Sequence, residues 1–449
     1  MTAHLDSVRV LFLNDTSRDG GPGRSLHVLL SHLDRTRVRR TVLLPRPGPV
    51  ADLLHAANVA DEIVFEDAWI ENIVAPLSRP MERVDHSAAW PLRAGRAAGN
   101  TFKAARLLAH LTDRARGYDL VYGNGTVANF LAAAAAARAG VPALWHVRYT
   151  SLPALAAPLH RRLARSHTVR RIVCVSHPSA ALFPAGDAKV SVVPNALDLG
   201  AFNPGLVAPV LRRELGCDDR TVIFASAGRI LRRKGFEELV RAARLMLDSL
   251  TMEERARCRF VVLGDTPPDF AEDHRATCTA LAAELGIGEQ FRFLGFRADV
   301  RPYLSDADVV VVPSVYPDPL PRAVIEGMAL AKPIVAFAVG GISEMLDDGV
   351  EGALVPGSPP DVPGLAAALL AAFRDPARRR RQGAAARARV ERDFDGGLHG
   401  ARIEKLIYEA VGRVPPSASA PASASASEAH GSAPRGAAPA PGPGPEVAA

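Results

Sequence analysis

The chain contains 449 residues, which is enough for two domains of ordinary size with well-packed cores. Its formal charge is +6, from 54 basic and 48 acidic residues, and aromatic residues make up 6% of it. Attraction to anions is therefore mild and spread out. Because the sequence has no recognised nucleic-acid-binding module and no interleaved basic-aromatic pattern, nucleic acid is not an expected partner.

The cysteines and the apolar runs bear on where the protein works. Cys174, Cys217, Cys258 and Cys278 lack the spacing of metal ligands, which predicts free thiols in a reducing compartment. The apolar run from Val8 to Leu13 is too short for the core of a signal peptide. No apolar run reaches the roughly 20 residues needed to span a bilayer. We therefore expect a cytoplasmic protein.

Short apolar segments alternate with helical stretches in the first half of the chain, which predicts a doubly wound α/β sheet. Proline and asparagine at 194 and 195 close this half, and loop-like sequence follows as far as Arg220. We assign residues 1–198 to a first α/β domain. The predicted strands are Arg9 to Asn14, Arg40 to Leu44, Glu62 to Phe65, Asp119 to Tyr122, Ala143 to Val147, Arg171 to Val175 and Val190 to Val193.

A glycine-rich turn, Gly20-Gly21-Pro22-Gly23, follows the first strand and precedes a helix that begins near Arg24. Glycines in such a turn let a ligand approach the backbone, and the helix N-terminus supplies N–H donors. By itself this turn is a weak signal. His146 ends a later buried strand, where a histidine is more often a structural hydrogen-bonding residue than a catalyst.

The segment from Leu92 to Gly117 carries six lysines and arginines against one aspartate, with apolar residues at helical spacing. A basic amphipathic helix of this kind can lie on an anionic membrane surface. It can equally be a helix with a solvated basic face. The sequence leaves both interpretations open.

The same alternation restarts in the second half of the chain, and residues 199–414 are assigned to a second α/β domain. From Leu365 onward this domain is predicted to be helical. Residues 415–449 contain almost nothing able to form a core, which predicts a disordered tail. The predicted strands are Val222 to Ala225, Phe260 to Gly264, Phe291 to Leu294, Val309 to Val312, Ile334 to Phe337 and Ala353 to Val355.

The segment from Pro313 to Glu344 is the most informative of the chain. Four prolines between 313 and 321 end a buried strand, because proline cannot donate to the ladder, and the loop that they form contains Asp318. Glu326 follows in the first turns of the next helix, near the positive end of its dipole. Gly340-Gly341 opens a further helix, where N–H groups are predicted to face an anion. Ligands of open α/β sheets bind beyond the carboxyl ends of the strands, so the topology predicts a site here.

Two cations flank the turn after the first strand of the second domain. Gly228-Arg229 closes that strand and Lys234-Gly235 begins the next helix. A diphosphate needs localised positive charge, for which arginine offers a planar bidentate donor and lysine a point charge. The alternative interpretation is a pair of solvated cations on a loop.

Together these residues resemble the retaining GT-B glycosyltransferases of family four, over roughly Val8 to Val411. The donor site of that family carries two glutamates separated by seven residues, where this chain has Asp318 and Glu326. The first acid is thus one methylene shorter than the common form. The resemblance implies two Rossmann-like domains that face one another across a cleft. It also implies that a last helix, at about residues 400–412, crosses back onto the first domain.

The resemblance implies roles for individual residues. Arg229 and Lys234 grip the donor diphosphate, Glu326 meets the ribose, and His146 lies at the C6 side of the donor sugar. Arg148 and Asn124 are assigned to the acceptor side. The expected catalytic residues are His146, Arg229, Lys234, Asp318 and Glu326. The expected donor-binding residues are Gly20, Gly21, Gly228, Arg229, Lys234, Asp318, Leu320, Glu326, Gly340 and Gly341.

No metal and no cofactor are expected beyond the nucleotide diphosphate sugar used as co-substrate. The sequence Asp306-Ala-Asp308 matches the Asp-X-Asp metal-binding motif of another transferase fold. Asp308 leads directly into a predicted strand, however, and the resembled family has a strand-entry aspartate there. We therefore predict a structural role for both aspartates, with Arg229, Lys234 and helix N-termini neutralising the leaving diphosphate.

The resemblance implies transfer of a hexosyl group, with retention, from a nucleotide diphosphate sugar to a sugar or lipid-linked hydroxyl acceptor. The expected setting is cell-envelope polysaccharide or glycoconjugate synthesis, in the cytoplasm or peripherally at the inner face of the cell membrane. Two alternatives stay open. One is a homologue that binds nucleotide sugar without turning it over, and the other is a nucleotide-sugar epimerase of the same architecture.

Overall fold

The computed structural model describes residues 7–69, 90–268, 270 and 272–414, and for residues 90–102 only the backbone. The predicted tail at 415–449 lies outside these residues. Among the described residues, two parallel sheets alternate with helices along the chain, so the predicted α/β fold class is confirmed. Every strand predicted from the sequence occurs, and the observed ends differ from the predicted ones by at most two residues.

Within the described part of the chain, the first sheet has seven parallel strands in the order β3-β2-β1-β4-β5-β6-β7. The strand order reverses between β1 and β4, which makes this pair the topological switch point of the sheet. The strands are β1 (Val8–Asn14), β2 (Val38–Leu44), β3 (Glu62–Phe65), β4 (Leu120–Asn124), β5 (Ala143–Val147), β6 (Val169–Cys174) and β7 (Val190–Val192). The helices are α1 (Gly21–His32), α2 (Pro49–Ala56), α3 (Trp90–Ala115), α4 (Thr126–Ala139), α5 (Ala157–Arg165) and α6 (His177–Ala180).

The second sheet, again counted within the described residues, has six parallel strands in the order β10-β9-β8-β11-β12-β13. Its switch point lies between β8 and β11. The strands are β8 (Val222–Ala227), β9 (Cys258–Leu263), β10 (Phe291–Gly295), β11 (Val309–Val312), β12 (Ile334–Ala338) and β13 (Gly352–Pro356). The helices are α7 (Leu211–Leu215), α8 (Phe236–Asp248), α9 (Met252–Ala256), α10 (His274–Glu284), α11 (Arg301–Leu304), α12 (Arg322–Ala329), α13 (Ile342–Met345), α14 (Val362–Arg374), α15 (Pro376–Asp393) and α16 (Gly396–Ala410).

Strand β1 shows why an uninterrupted apolar run predicts a strand that is buried on both faces. Val10 and Phe12 point into one hydrophobic cluster, and Leu11 and Leu13 point into another on the opposite face of the sheet. Because parallel strands are covered by helices on both sides, neither face of the strand can be polar.

The last helix of the chain, α16, packs against the first sheet although it follows the second sheet in sequence. Ile403 and Ile407 belong to the same buried cluster as Leu26 and Leu29 of α1. At its polar margin, Glu404 pairs with Arg37, which follows α1, at 3.2 Å. Residues from both halves of the chain thus belong to the same hydrophobic core.

Asp306 and Asp308 lie at the entry of β11, at the opposite end of that strand from Val312 and Pro313. Asp306 accepts a hydrogen bond from the backbone N–H of Arg212 at 2.7 Å. Asp308 accepts from the Arg212 guanidinium at 2.7 Å and from the N–H of Ile223 at 2.9 Å. These bonds fasten α7 and β8 to β11, which is a structural role.

All four cysteines are free thiols. Burial raises the pKa of Cys174, Cys258 and Cys278 to about 12, so these thiols stay protonated at neutral pH. Among the described helices, none combines the length and the apolar character that a bilayer span requires.

The packing of α16 gives a stability prediction. Ile403→Ala and Ile407→Ala remove fully buried methyl groups and should each lower the free energy of unfolding by about 2–5 kcal/mol. The matched control is Lys405→Ala on the exposed face of the same helix, which should change it by no more than about 0.5 kcal/mol. Urea denaturation followed by circular dichroism measures both. Equal stability of the isoleucine variants and the control would contradict the shared core.

Candidate functional site

A cleft of about 2980 Å³ opens at the carboxyl ends of both sheets. Residues that follow β1 and β4 line it on one side, and residues that follow β8 and β11 line it on the other. Both switch points therefore face the same space, which is where open α/β sheets bind ligands. The cleft is larger than the roughly 300–1,000 Å³ of an ordinary small-molecule pocket, so it has room for two substrates.

Most of the predicted donor-binding residues meet in this cleft. Those that line it are Gly20, Gly21, Gly228, Arg229, Lys234, Asp318, Leu320 and Glu326. Gly20 and Gly21 come from the first sheet's side, and the other six come from the second. The structure thus brings together residues up to about three hundred positions apart in the sequence.

Lys234 and Asp318 form an ion pair at the floor of the cleft. Nζ of Lys234 lies 2.5 Å from a carboxylate oxygen of Asp318, and the ring of Tyr316 lies 5.2 Å from the ammonium. Burial by itself would lower the pKa of Lys234, but the Asp318 carboxylate and Tyr316 outweigh it and raise that pKa above its ordinary value. Lys234 therefore stays charged.

A glycine lets Lys234 reach this position. Gly235 has φ of 71° and ends the short 3₁₀ turn Arg232–Lys234. A Cβ at Gly235 would lie 1.8 Å from the carbonyl oxygen of Pro313, so any other residue would push the turn away from the end of β11. Glycine at position 235 is thus required by packing, and the lysine before it supplies the charge.

Glu326 is buried in the first turns of α12 and is paired with a residue of its own helix. The guanidinium of Arg322 donates to Glu326 at 3.1 Å. Burial lowers the pKa of Arg322, and the Glu326 carboxylate acts against that shift. Arg322 also lies 3.5 Å from the hydroxyl of Ser25 in α1 and from the carbonyl of Ala196. Glu326 is therefore held by an arginine that spans both sides of the cleft.

Gly340 and Gly341 do not line the cleft, which corrects the prediction that their N–H groups face an anion there. The N–H of Gly341 already donates to the carbonyl of Asp318 at 2.8 Å. A Cβ at Gly341 would lie 1.9 Å from the carbonyl oxygen of Pro319. The helix after them, α13, has only four residues. This glycine pair supports the donor loop from behind and is not a phosphate cradle.

His146 is fully buried and is not among the residues that line the cleft, and its predicted contact with the donor sugar stays a prediction. Its Nδ1 accepts hydrogen bonds from the hydroxyl of Tyr122 at 2.6 Å and from Arg148 at 3.3 Å. Burial, reinforced by the nearby Arg148 charge, holds the pKa of His146 well below its ordinary value. His146 is a neutral residue that positions Arg148.

Arg148 itself lines the cleft, and Asn124 supports it from below. The amide oxygen of Asn124 accepts from the Arg148 guanidinium at 2.6 Å, and Asn195 accepts from it as well. Burial lowers the pKa of Arg148 to about 10, which leaves it charged at neutral pH. The predicted acceptor-side pair thus forms one unit, in which Arg148 faces the cleft and Asn124 does not.

Residues of the first domain hold the loop that carries Asp318. Thr150 donates through its hydroxyl to the carbonyl of Pro317 at 2.7 Å. Asn195 donates through its amide to the carbonyl of Leu320 at 3.2 Å. Two backbone carbonyls of the donor-side loop therefore depend on side chains from across the cleft.

Sequence reasoning missed Thr150, Tyr316 and Arg322, and used Asn195 only to mark the end of the first half of the chain. Tyr316 stands two positions from Asp318, so its place beside Lys234 could have been suspected. Thr150 gave no local signal, because its partner belongs to the other half of the chain. Arg322 stands four positions before Glu326, but its contacts with Ser25 and Ala196 in the first domain could not be seen from the sequence.

Two family models match this chain in succession. The model described as "Glycosyltransferase Family 4" matches residues 19–201, and the model described as "Glycosyl transferases group 1" matches residues 208–389. Together they cover most of both sheets.

Similar proteins of known name are D-inositol 3-phosphate glycosyltransferases. That of Kribbella flavida is 37% identical over 215 residues, which are 47% of this chain and 49% of the relative. That of Mycolicibacterium vanbaalenii is 34% identical over 303 residues, which are 62% of this chain and 64% of the relative. The chain thus spans about half the length of the Kribbella protein.

Solved structures share the fold at low sequence identity. Anabaena Alr3699/HepE in complex with UDP-glucose superposes with a TM-score of 0.72 and 22% identity, over 90% of this chain and 100% of that one. WaaG, a glycosyltransferase involved in lipopolysaccharide biosynthesis, gives 0.59 and 16%, over 89% and 99%. With both family models matched on the sheets that form the cleft, the chain belongs to the GT-B glycosyltransferases of group 1.

Proposed function

We propose that this protein transfers a hexosyl group from a nucleotide diphosphate sugar to a hydroxyl acceptor, with retention at the anomeric carbon. The observation that carries the proposal is the Lys234–Asp318 pair on the cleft floor, with Arg229 and Glu326 lining the same space. A cation already held in place needs no reorganisation when diphosphate charge develops beside it.

The donor diphosphate would compete with Asp318 for Lys234 and would meet Arg229 at the exposed side of the cleft. Glu326, fixed by Arg322, is placed for the ribose, as the family resemblance implies. No carboxylate is needed as a nucleophile in this scheme. The leaving phosphate takes the acceptor proton on the same face, and the protein supplies positioning and charge compensation.

The relatives guide the choice of substrates. HepE was solved with UDP-glucose, so a UDP-hexose is the first donor to test. The relatives named D-inositol 3-phosphate glycosyltransferase support an acceptor that bears both a hydroxyl and a phosphate. We propose a cytoplasmic reaction in cell-envelope glycoconjugate synthesis. Peripheral contact of α3 with anionic membrane stays a prediction, and vesicle flotation at low salt tests it.

The proposal is tested by incubating the protein with a panel of UDP-, GDP-, ADP- and dTDP-hexoses, with and without acceptor extract. Nucleotide release that depends on acceptor, and a product whose anomeric configuration by NMR matches the donor, would support retaining transfer. Donor binding without turnover would favour the non-catalytic alternative. Conversion of the donor to an epimer without acceptor would favour the epimerase.

One kinetic prediction concerns the cations of the cleft. Arg229→Ala and Lys234→Ala should each lower kcat/KM by about 100- to 1,000-fold, because the diphosphate charge is left under-compensated. Arg232→Ala is the matched control, since Arg232 is exposed in the same turn but does not line the cleft. Steady-state kinetics and UDP affinity measure the effect, and thermal unfolding excludes loss of fold. Near-wild-type kinetics in both variants would contradict the assignment.

Activity is expected to survive chelation, because Arg229 and Lys234 compensate the diphosphate charge in this scheme. The measurement is nucleotide release in EDTA, followed by titration with Mg²⁺ and Mn²⁺. A strict requirement for a divalent ion, restored when the ion is added back, would refute metal independence.

The bonds across the cleft should matter for turnover. Thr150→Val keeps the shape of the side chain but removes the exposed hydrogen bond to the Pro317 carbonyl, a loss of about 0.5–1.5 kcal/mol, or roughly two- to tenfold in kcat/KM. Thr150→Ser keeps the hydroxyl and should retain near-wild-type activity. If the valine and serine variants behave alike, the Thr150 hydroxyl does not position the donor loop.

A further inference from the structure

The ring of Tyr316 lies against two cations in the donor half of the cleft. The guanidinium carbon of Arg233 and Nζ of Lys234 each lie 5.2 Å from the centre of the ring. All three residues line the cleft, and Tyr316 is half-buried there. A cation within about 6 Å of the centre of an aromatic ring is attracted to its face, and more strongly where water is excluded. One ring thus attracts two neighbouring positive charges.

Backbone hydrogen bonds connect this ring to the cations and to the acid. The N–H of Val315 donates to the carbonyl of Arg233 at 3.1 Å, which joins the residue before Tyr316 to the turn that carries both cations. The N–H of Asp318 donates to the carbonyl of Tyr316 at 2.6 Å. The ring therefore keeps its place beside the turn even if the ion pair between Lys234 and Asp318 opens.

The charges around Lys234 act in opposite directions. Asp318 and Tyr316 act to raise the pKa of Lys234, whereas the charge of Arg229 acts to lower it. Arg233 is the next residue in the sequence, and its positive charge also repels the ammonium. A donor diphosphate that competes for Lys234 weakens the pair with Asp318. The ring of Tyr316 does not compete with the diphosphate for the ammonium charge, so it can retain the lysine during this exchange.

We propose that Tyr316 is a positioning residue of the donor site. Its ring keeps Lys234 within reach of the diphosphate when the ammonium leaves Asp318, and it holds Arg233 beside Lys234 as a further cation for the same phosphates. The ring has this role, and the hydroxyl does not. The effect on turnover rests on the proposed function, whereas the effect on nucleotide binding does not.

Isothermal titration with UDP, GDP, ADP and dTDP identifies the nucleotide that binds the wild type most tightly, and that nucleotide is the probe. Tyr316→Leu removes the ring and should weaken binding by about tenfold, because two cations lose their contact with it. Tyr316→Phe keeps the ring and should bind within about twofold of the wild type. Arg233→Gln removes one charge and should weaken binding by about fivefold.

The matched control is Phe202→Leu. The guanidinium carbon of Arg301 lies 5.8 Å from the centre of the Phe202 ring, and neither residue lines the cleft. This variant also loses a ring that contacts a cation in the second domain, and it should bind the nucleotide like the wild type. Thermal unfolding verifies that each variant is folded.

A double-mutant cycle separates the positioning of the cations from simple packing of the ring. In the wild type, Tyr316→Leu should lower kcat/KM for the donor by about tenfold. In a variant that already carries Arg233→Gln and Lys234→Met, the same change should alter kcat/KM by less than about twofold, because no cation remains for the ring to hold. A ring that only fills space would cost the same in both backgrounds.

Equal weakening by Tyr316→Phe and Tyr316→Leu, wild-type affinity in Arg233→Gln, or an equal loss in Phe202→Leu would overturn the inference. An equal loss of kcat/KM in the two backgrounds would overturn it as well. Acceptor-dependent turnover together with wild-type nucleotide affinity in Tyr316→Leu would overturn the inference and leave the proposed function standing. The expected order of nucleotide affinities without acceptor-dependent turnover would support the inference and overturn the proposed function.

Discussion

The donor side of the cleft depends on how a proline-rich loop satisfies its backbone carbonyls. Between Pro313 and Pro321 four prolines remove N–H donors, so the loop cannot continue the sheet. Within the loop the N–H of Asp318 donates to the carbonyl of Tyr316 at 2.6 Å, and other carbonyls need donors from outside it. Thr150 and Asn195 of the first domain donate hydrogen bonds to the carbonyls of Pro317 and Leu320. The N–H of Gly341 donates to the carbonyl of Asp318. The backbone that carries Asp318 is thus fixed from three directions, two of them across the cleft. Movement of one domain against the other has to act on this loop.

Both acids of the site are paired, each with a different cation. Asp318 pairs with Lys234, and Glu326 pairs with Arg322. Buried ion pairs recover their desolvation cost only when the partners are well placed, so each acid also holds its cation in position. The shorter side chain at 318 suits a loop whose backbone is held on both sides of that residue. An aspartate there is therefore consistent with a working site.

The two halves of the cleft differ in what they offer a ligand. The donor half presents fixed cations over short distances, which suits a compact diphosphate. The opposite half presents exposed leucines, Leu155 and Leu159, together with charges of both signs. Arg148 stands where the halves meet, held by His146, Asn124 and Asn195. These three residues thus hold Arg148 in position.

The sequence by itself determined the strands, the fold class and the clustering of Arg229, Lys234, Asp318 and Glu326, because each of these follows from local patterns. Buried strands need apolar runs, and loops at strand ends collect glycine, proline and charge. Only the tertiary structure decided that His146 is buried, that Gly340 and Gly341 support a loop, and that Thr150, Asn195 and Arg322 belong to the site. Thr150, Asn195 and Arg322 contact residues more than a hundred positions away. Contacts at that range are set by how the domains pack, which no short segment of sequence encodes.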